Sequence, residues 1–168
     1  MHTLKEALQS WDGKQTDFIG QIYTDLSQHS DFIEDCIALL QDPKLQSGAS
    51  WLLKQHHDSG KRLDEQHITA VFNALEHLEH WQAKLHILQS MAYMRVAKKQ
   101  LNHVRQFIQL AINDDNKFVR AWGYDGLYQL ARQYPQYSDE TREFFSMAMR
   151  DEAASVKARI RNILKQWN

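Results

Sequence analysis

The sequence contains few of the residues that interrupt helices or cross-link a chain. Only six Gly and two Pro occur among 168 residues, and no segment alternates apolar and polar residues persistently, so signals for strands and hairpins are nearly absent. The single cysteine, Cys36, cannot form an intramolecular disulfide, and its position in an apolar stretch predicts a buried, inert thiol. These shortages argue against a disulfide scaffold and a β-rich fold, and they predict an all-α protein.

Long apolar runs are also lacking. No segment reaches the roughly 18 consecutive apolar residues of a spanning helix, and the N-terminus has no apolar run of signal-peptide length. We therefore expect a cytoplasmic protein with no membrane partner. The net charge of −1 gives no overall attraction to nucleic acid, but the charge is uneven. Residues 1–84 hold 7 Lys/Arg and 13 Asp/Glu, a net −6, whereas residues 85–168 hold 13 and 8, a net +5.

Apolar residues are plentiful and recur with a long period. Hydrophobic residues make up 43% of the chain, which is ample for the core of one domain. Four helix-like segments share a register with steps of 36, 36 and 37 residues, marked by the pairs Ser47-Gly48, Ala83-Lys84, Val119-Arg120 and Val156-Lys157. Each follows another apolar-periodic segment, so the repeating unit is a helical hairpin. The predicted units are N-terminal capping helices in 1–29 and repeats in about 30–62, 63–98, 99–135 and 138–168.

The chain resembles the HEAT-repeat family of armadillo-like α-solenoids, and the pattern is complete in the last two units. The resemblance rests on an acidic residue in the turn, a branched apolar residue, a basic residue, a small residue and a leucine: Asp114, Val119, Arg120, Ala121 and Leu127, then Asp151, Val156, Lys157, Ala158 and Leu164. It covers about residues 30–168 and implies a right-handed α-α superhelix of about four hairpins plus one or two N-terminal helices. The first two units depart from the pattern, since Gly48 occupies the basic position and no Asp precedes Ala83. An up-and-down helical bundle is the alternative.

Glycines in the second helices of these units require an explanation. Gly123 and Gly126 lie in a helical stretch, where each costs about 1 kcal/mol relative to Ala. Small residues let helices approach closely, so we predict that a neighbouring helix packs against these glycines and against Gly48.

The resemblance implies that the second helices line a concave face, on which Lys84, Arg120 and Lys157 would form a basic ladder. The residues predicted to contact a partner are Lys84, Arg120, Tyr124, Arg132, Lys157, Arg161 and Lys165. Such a face suits an acidic partner, most plausibly a protein. The family also implies another use of the ladder, in which Asp114 pairs with Arg120 and Asp151 with Lys157 to stack the repeats. A binding or scaffolding module without a cofactor is the leading hypothesis.

Nucleic acid is the second hypothesis, possible but not favoured. Trp122, Tyr124 and Asp125 are superficially similar to the Trp, Tyr and Asp in the basic groove of HEAT-like alkylpurine DNA glycosylases. A sequence pI near 6.7 argues against it, because domains that bind nucleic acid strongly are usually more basic.

A metal site is the third hypothesis, with His77 and His80 as weak candidate ligands near Glu76 and His86. On a continuous helix, Glu76 and His77 would share a face with His80. HEAT-like deoxyhypusine hydroxylases hold iron with His-Glu pairs, but this chain contains no His-Glu dipeptide. No phosphate loop, nucleophile elbow or metalloprotease motif is present either, so catalysis is not favoured.

Overall fold

The computed structural model describes residues 3 to 167, in which ten α-helices and four short 3-10 helices are joined by brief turns and no strand occurs. The prediction of an all-α protein is confirmed. The α-helices are α1 Leu4–Gln9, α2 Thr16–Leu26, α3 Phe32–Leu39, α4 Gln46–Asp58, α5 Glu65–Asn73, α6 Trp81–Ser90, α7 Leu101–Ala111, α8 Lys117–Gln133, α9 Ser138–Asp151 and α10 Ala154–Gln166.

Successive helices form four units, here called hairpins, which are α3–α4, α5–α6, α7–α8 and α9–α10, preceded by the pair α1 and α2. The two helices of a unit pack on each other in every unit except α5–α6, where the 3-10 helix Leu75–His77 lies between them in the chain. The even-numbered helices pack against one another in chain order, from α2 through α4, α6 and α8 to α10. Among the odd-numbered helices, α1 contacts α3 and α3 contacts α5. Each predicted repeat therefore contains two helices, and the second helix of each hairpin packs on the next.

Side chains cap the N-termini of several helices. Apolar side chains form two buried clusters. Thr3 and Glu6 form a reciprocal capping box at α1, and Asn116 Oδ1 accepts from the backbone N–H groups of Phe118 and Val119 at α8. The larger cluster runs from α1 to α8 and includes Cys36, which is fully buried as predicted. Burial raises the pKa of the Cys36 thiol, so the group stays protonated and inert. The smaller cluster joins α8, α9 and α10.

Three helical glycines mark places where helices come very close. A Cβ added at Gly123 would lie 3.0 Å from the backbone nitrogen of Ile112, and one added at Gly126 would lie 3.1 Å from Cγ1 of Ile108. At Gly48 the added atom would lie 2.8 Å from Cδ2 of Leu8 in α1. The predicted close approach is confirmed. At Gly123 and Gly126 the neighbour is α7, the first helix of the same hairpin.

Candidate binding surface on the C-terminal hairpins

Two members of the predicted basic ladder, Lys84 and Arg120, join one hairpin to the next. Lys84 Nζ donates to Asp114 Oδ2 at 3.2 Å, and Arg120 Nε donates to both carboxylate oxygens of Glu152 at 3.1 Å. Arg120 also donates to the backbone carbonyls of Asp114 and Asp115. Each cation starts near the beginning of an even-numbered helix and reaches an acid in the turn of the following hairpin. These two side chains therefore stabilise the packing between hairpins.

The pairing differs from the one implied by the family resemblance. The Asp114 carboxylate binds Lys84 of the preceding hairpin, and the carboxylate that binds Arg120 belongs to Glu152 of the following hairpin. The prediction of Asp114–Arg120 and Asp151–Lys157 pairs was wrong in its partners, because each bridge spans two hairpins instead of closing one turn. Among residues 3–167, Lys157 has no carboxylate within 4.0 Å.

An uncharged residue bridges the earlier junction between the first two hairpins. Gln46 is fully buried, and its amide nitrogen donates to the carbonyls of Leu40 and His77 at 3.1 and 3.0 Å. Its amide oxygen accepts from the backbone N–H groups of Glu79 and His80 at 2.7 and 2.6 Å. Sequence reasoning missed Gln46. The one indication in the sequence was that Gln46 lies two residues before Gly48, which aligns with Lys84, Arg120 and Lys157 in the repeat. The junctions thus use Gln46, Lys84 and Arg120 in turn.

Removing the Arg120 bridge should be costly, whereas Lys157 should be dispensable for folding. We expect Arg120→Met to lower the free energy of unfolding by about 1–2 kcal/mol, because two backbone carbonyls and a partly buried Glu152 lose their donor. The matched variant Lys157→Met should change it by less than about 0.5 kcal/mol. Urea titration of both variants measures the difference. Equal stability of the two would show that Arg120 does not hold the hairpins together.

The predicted contact residue Tyr124 lies in the smaller apolar cluster. Its side chain is buried, and its ring meets that of Phe145 edge to face with centroids 6.1 Å apart. Burial, followed by the nearby Glu152 carboxylate, raises the pKa of the Tyr124 hydroxyl. Tyr124 consequently packs α8 against α9 and presents no exposed ring to a partner.

The remaining predicted cations are open to solvent on α8 and α10. Arg132, Arg161 and Lys165 are exposed and Lys157 is half-buried. Lys157, Arg161 and Lys165 follow one another at four-residue spacing and therefore form one stripe on α10, here called the α10 stripe. Helix α10 contains a fourth cation, Arg159, and no acidic residue. In the described part of the chain, none of these five cations has a carboxylate within 4.0 Å.

Arginines on this side of the molecule lie over aromatic rings. The guanidinium of Arg159 lies 4.0 Å from the centroid of Trp122, and that of Arg142 lies 3.8 Å from the centroid of Trp167. Such cation–π contacts hold a guanidinium in place without neutralising its charge. Near Arg159, Asp125 is buried and accepts from Gln129 Nε2 at 3.3 Å. Burial raises the pKa of the Asp125 carboxyl.

The histidines considered as metal ligands are separated by a break in the helix. Helix α5 ends at Asn73, a 3-10 helix covers Leu75–His77, and His80 is the N-cap of α6. The prediction that Glu76, His77 and His80 share one helical face was therefore wrong. His80 Nδ1 accepts from the backbone N–H of Gln82 at 3.1 Å. Within residues 3–167, no three His, Cys, Asp or Glu side chains are grouped so that they could hold a metal ion.

Comparisons of the chain with protein-family models, with curated proteins and with solved structures gave no match. Within the described residues, no helix combines the length and the apolar character needed to cross a membrane. The geometry and charge of the surface itself are therefore the basis for a functional proposal.

Proposed function

We propose that this chain is a non-catalytic binding module that captures an acidic partner protein on the α10 stripe. The observation that carries the proposal is the composition of α10, which has four cations and no acid, and whose cations find no carboxylate in the described structure. Lys84 and Arg120 have their charges balanced by Asp114 and Glu152. The positive charges of the α10 stripe are not balanced in this way and can attract a carboxylate of a partner.

The proposal includes a HEAT-like arrangement of the hairpins, with the cytoplasm as the expected location. What supports the arrangement is the packing of the even-numbered helices in chain order and the bridges that recur at each junction. Stacked hairpins of this type present an extended surface built from equivalent positions of successive units. Arg132 of α8 would extend the basic surface beyond the α10 stripe.

A charge-reversal variant tests the proposal. We expect Arg161→Glu with Lys165→Glu to weaken binding of a poly-glutamate peptide at low ionic strength by about tenfold or more, because two attractive charges become repulsive. Both side chains are exposed, so thermal unfolding should stay unchanged. The matched control is Lys5→Glu with Lys14→Glu, which makes the same charge change at exposed positions of the α1–α2 pair. Equal weakening by both double variants, or no binding by the wild type, would refute the proposed surface.

A nucleic-acid-binding or DNA-base-processing protein is the second candidate. The observation that favours it is the guanidinium of Arg159 held on Trp122, close to the buried Asp125. A duplex DNA that binds more tightly than poly-glutamate, with an affinity that falls steeply with salt, would support this candidate, since phosphate contacts release counterions. Binding of the acidic peptide without binding of duplex DNA at low salt would eliminate it.

A further inference from the structure

The connection between α6 and α7, residues 91–100, borders a groove that the sequence did not reveal. Two depressions of about 550 and 700 Å³ meet along the side chains of Arg95 and Gln133. The connection forms one wall, and the C-terminal end of α8 contributes Gln133 and Tyr134. Small-molecule sites in proteins typically measure about 300–1,000 Å³, so each depression is of ligand size.

Hydrogen bonds from α8 fix the shape of this groove. The backbone N–H of Val96 donates to Gln133 Oε1 at 2.7 Å, and the hydroxyl of Tyr134 donates to the carbonyl of Val96 at 2.6 Å. Gln133 Nε2 also donates to the carbonyl of Met94 at 3.4 Å. The segment that carries Arg95 is thus held from both sides of Val96. A site whose backbone is fixed before binding loses less entropy when a ligand arrives.

The smaller depression also contains Arg62, whose side chain is held in place. The guanidinium of Arg62 lies 4.2 Å from the centroid of the Tyr93 ring and donates to the carbonyls of His57 and Lys61. These contacts orient the side chain and leave its positive charge unbalanced. Arg62 belongs to the connection between α4 and α5, so the groove collects cations from two separate parts of the chain.

The charge of the groove is strongly positive. Its lining contains Arg62, Arg95, Lys98 and Lys99, all exposed, against one acid, Glu65. Within the described structure, none of the four cations has a carboxylate within 4.0 Å. The fold brings Arg95 to the depression lined by Lys98 and Lys99, and it brings Arg62 to the adjoining depression.

We propose that this groove binds a small molecule that carries two or more linked phosphates. Arginine forks and lysine ammonium groups are the side chains that hold phosphate oxygens. Arg95, Lys98 and Lys99 line the larger depression and Arg62 and Arg95 line the smaller one, so four cations along two adjoining depressions match linked phosphates. Ile68, Val96 and Ala97 line the larger depression and offer an apolar surface to an organic group attached to the phosphates. The concentration of charge in two adjoining depressions, instead of along an extended face, favours a compact ligand over a nucleic-acid backbone. The groove is separate from the α10 stripe.

Isothermal titration with inorganic tripolyphosphate and with ATP tests this proposal. At low ionic strength we expect saturable one-to-one binding of tripolyphosphate that is tighter than binding of orthophosphate. Saturation by ATP at least as tight as by tripolyphosphate would identify a nucleotide as the source of the phosphates. Arg95→Ala with Lys98→Ala should weaken tripolyphosphate binding by about tenfold or more, because two charged donors are removed. The control Arg161→Ala with Lys165→Ala removes the same charge from the α10 stripe and should change the affinity by less than about twofold.

Three results would overturn the proposal. The first is the absence of saturable binding by tripolyphosphate and ATP at low ionic strength. The second is equal weakening in the two double variants, which would indicate general attraction to a basic protein. The third is tighter binding of duplex DNA that is lost in the Arg95→Ala, Lys98→Ala variant, which would make the groove a nucleic-acid interface. Because the α10 stripe is tested by other variants, failure here leaves the proposed function standing, and the reverse also holds.

Discussion

Acidification from about pH 7 to about pH 5 is expected to lower the free energy of unfolding by about 3 kcal/mol, mainly through His57 and His86. Burial, followed by the charges of His56 and Arg62, lowers the pKa of His57 from 6.5 to about 4. Burial, followed by the charge of Lys54, lowers the pKa of His86 to about 4 as well. Both histidines are neutral in the folded chain at neutral pH.

The surroundings of the two rings explain why protonation is unfavourable. The His57 side chain is 2% exposed, neither ring nitrogen has a hydrogen-bond partner, and the ring stacks on Tyr93 with centroids 5.5 Å apart. A charged imidazolium there would lose its hydration without gaining an acceptor. His86 is partly buried, and its Nδ1 lies 2.8 Å from Ser50 Oγ, which supplies one polar contact but no negative charge.

The direction of the effect follows from proton binding. In the unfolded chain the pKa of these histidines is near the ordinary value of 6.5, and in the folded chain it is about 4. Between these values the unfolded state binds more protons, so acid favours unfolding. The stabilisation is complete above about pH 6.5 and is lost progressively as the pH falls toward 4. The 3 kcal/mol expected at pH 5 allows for incomplete burial of His86.

Urea titrations at several pH values between 7 and 4 measure this dependence. His57→Phe keeps a ring on Tyr93 and removes one titrating group, so its stability should fall about half as much with acidification as that of the wild type. Leu53→Val is the control, because this residue of α4 is 1% exposed and its truncation lowers stability without removing a titratable group. The histidine explanation fails if His57→Phe and Leu53→Val show the same pH dependence as the wild type.

Periodicity predicted the helices well because local patterning and burial coincide. In the shared register, Ala83, Val119 and Val156 are all fully buried at the third residue of α6, α8 and α10. The break after α5 was not predictable from this pattern. Leu75 and Leu78 continue the apolar spacing and are both buried, although the chain there turns through a 3-10 helix into α6. Apolar spacing predicts which side chains are buried, but it does not predict where the chain changes direction.

The candidate sites depend on contacts between distant parts of the chain, and these were the least predictable features. Arg120 appeared in the sequence as one rung of a basic ladder, but whether its charge is available depends on Glu152, 32 residues away. The groove was even less predictable from the sequence, because Arg62 and Arg95 come to line one depression only through the packing of α4, α6 and α8. A single sequence shows which residues are charged. The fold determines which of these charges are paired with an opposite charge and which lie together on one surface.

The replacement Gly123→Ala is expected to lower the free energy of unfolding by about 1–3 kcal/mol, although Ala is the better helix former by about 1 kcal/mol. The added Cβ would lie 3.0 Å from the backbone nitrogen of Ile112 and 3.1 Å from the carbonyl carbon of Ala111. These are backbone atoms at the end of α7, and the Ile112 N–H is committed to the carbonyl of Ile108 at 3.0 Å. Relief of the contact therefore requires α7 and α8 to move apart.

Two other glycines provide matched controls for this replacement. Gly20 lies inside α2 with no atom within 4 Å of an added Cβ, so Gly20→Ala should raise the free energy of unfolding by about 0.5–1 kcal/mol. At Gly126 the nearest atoms belong to the Ile108 side chain, at 3.1 Å, which can shift by rotation. Gly126→Ala should therefore fall between the other two variants in urea titrations. If Gly123→Ala stabilises the chain as Gly20→Ala does, α7 and α8 do not pack as closely as described, and the cost of a glycine at position 123 has no tertiary compensation.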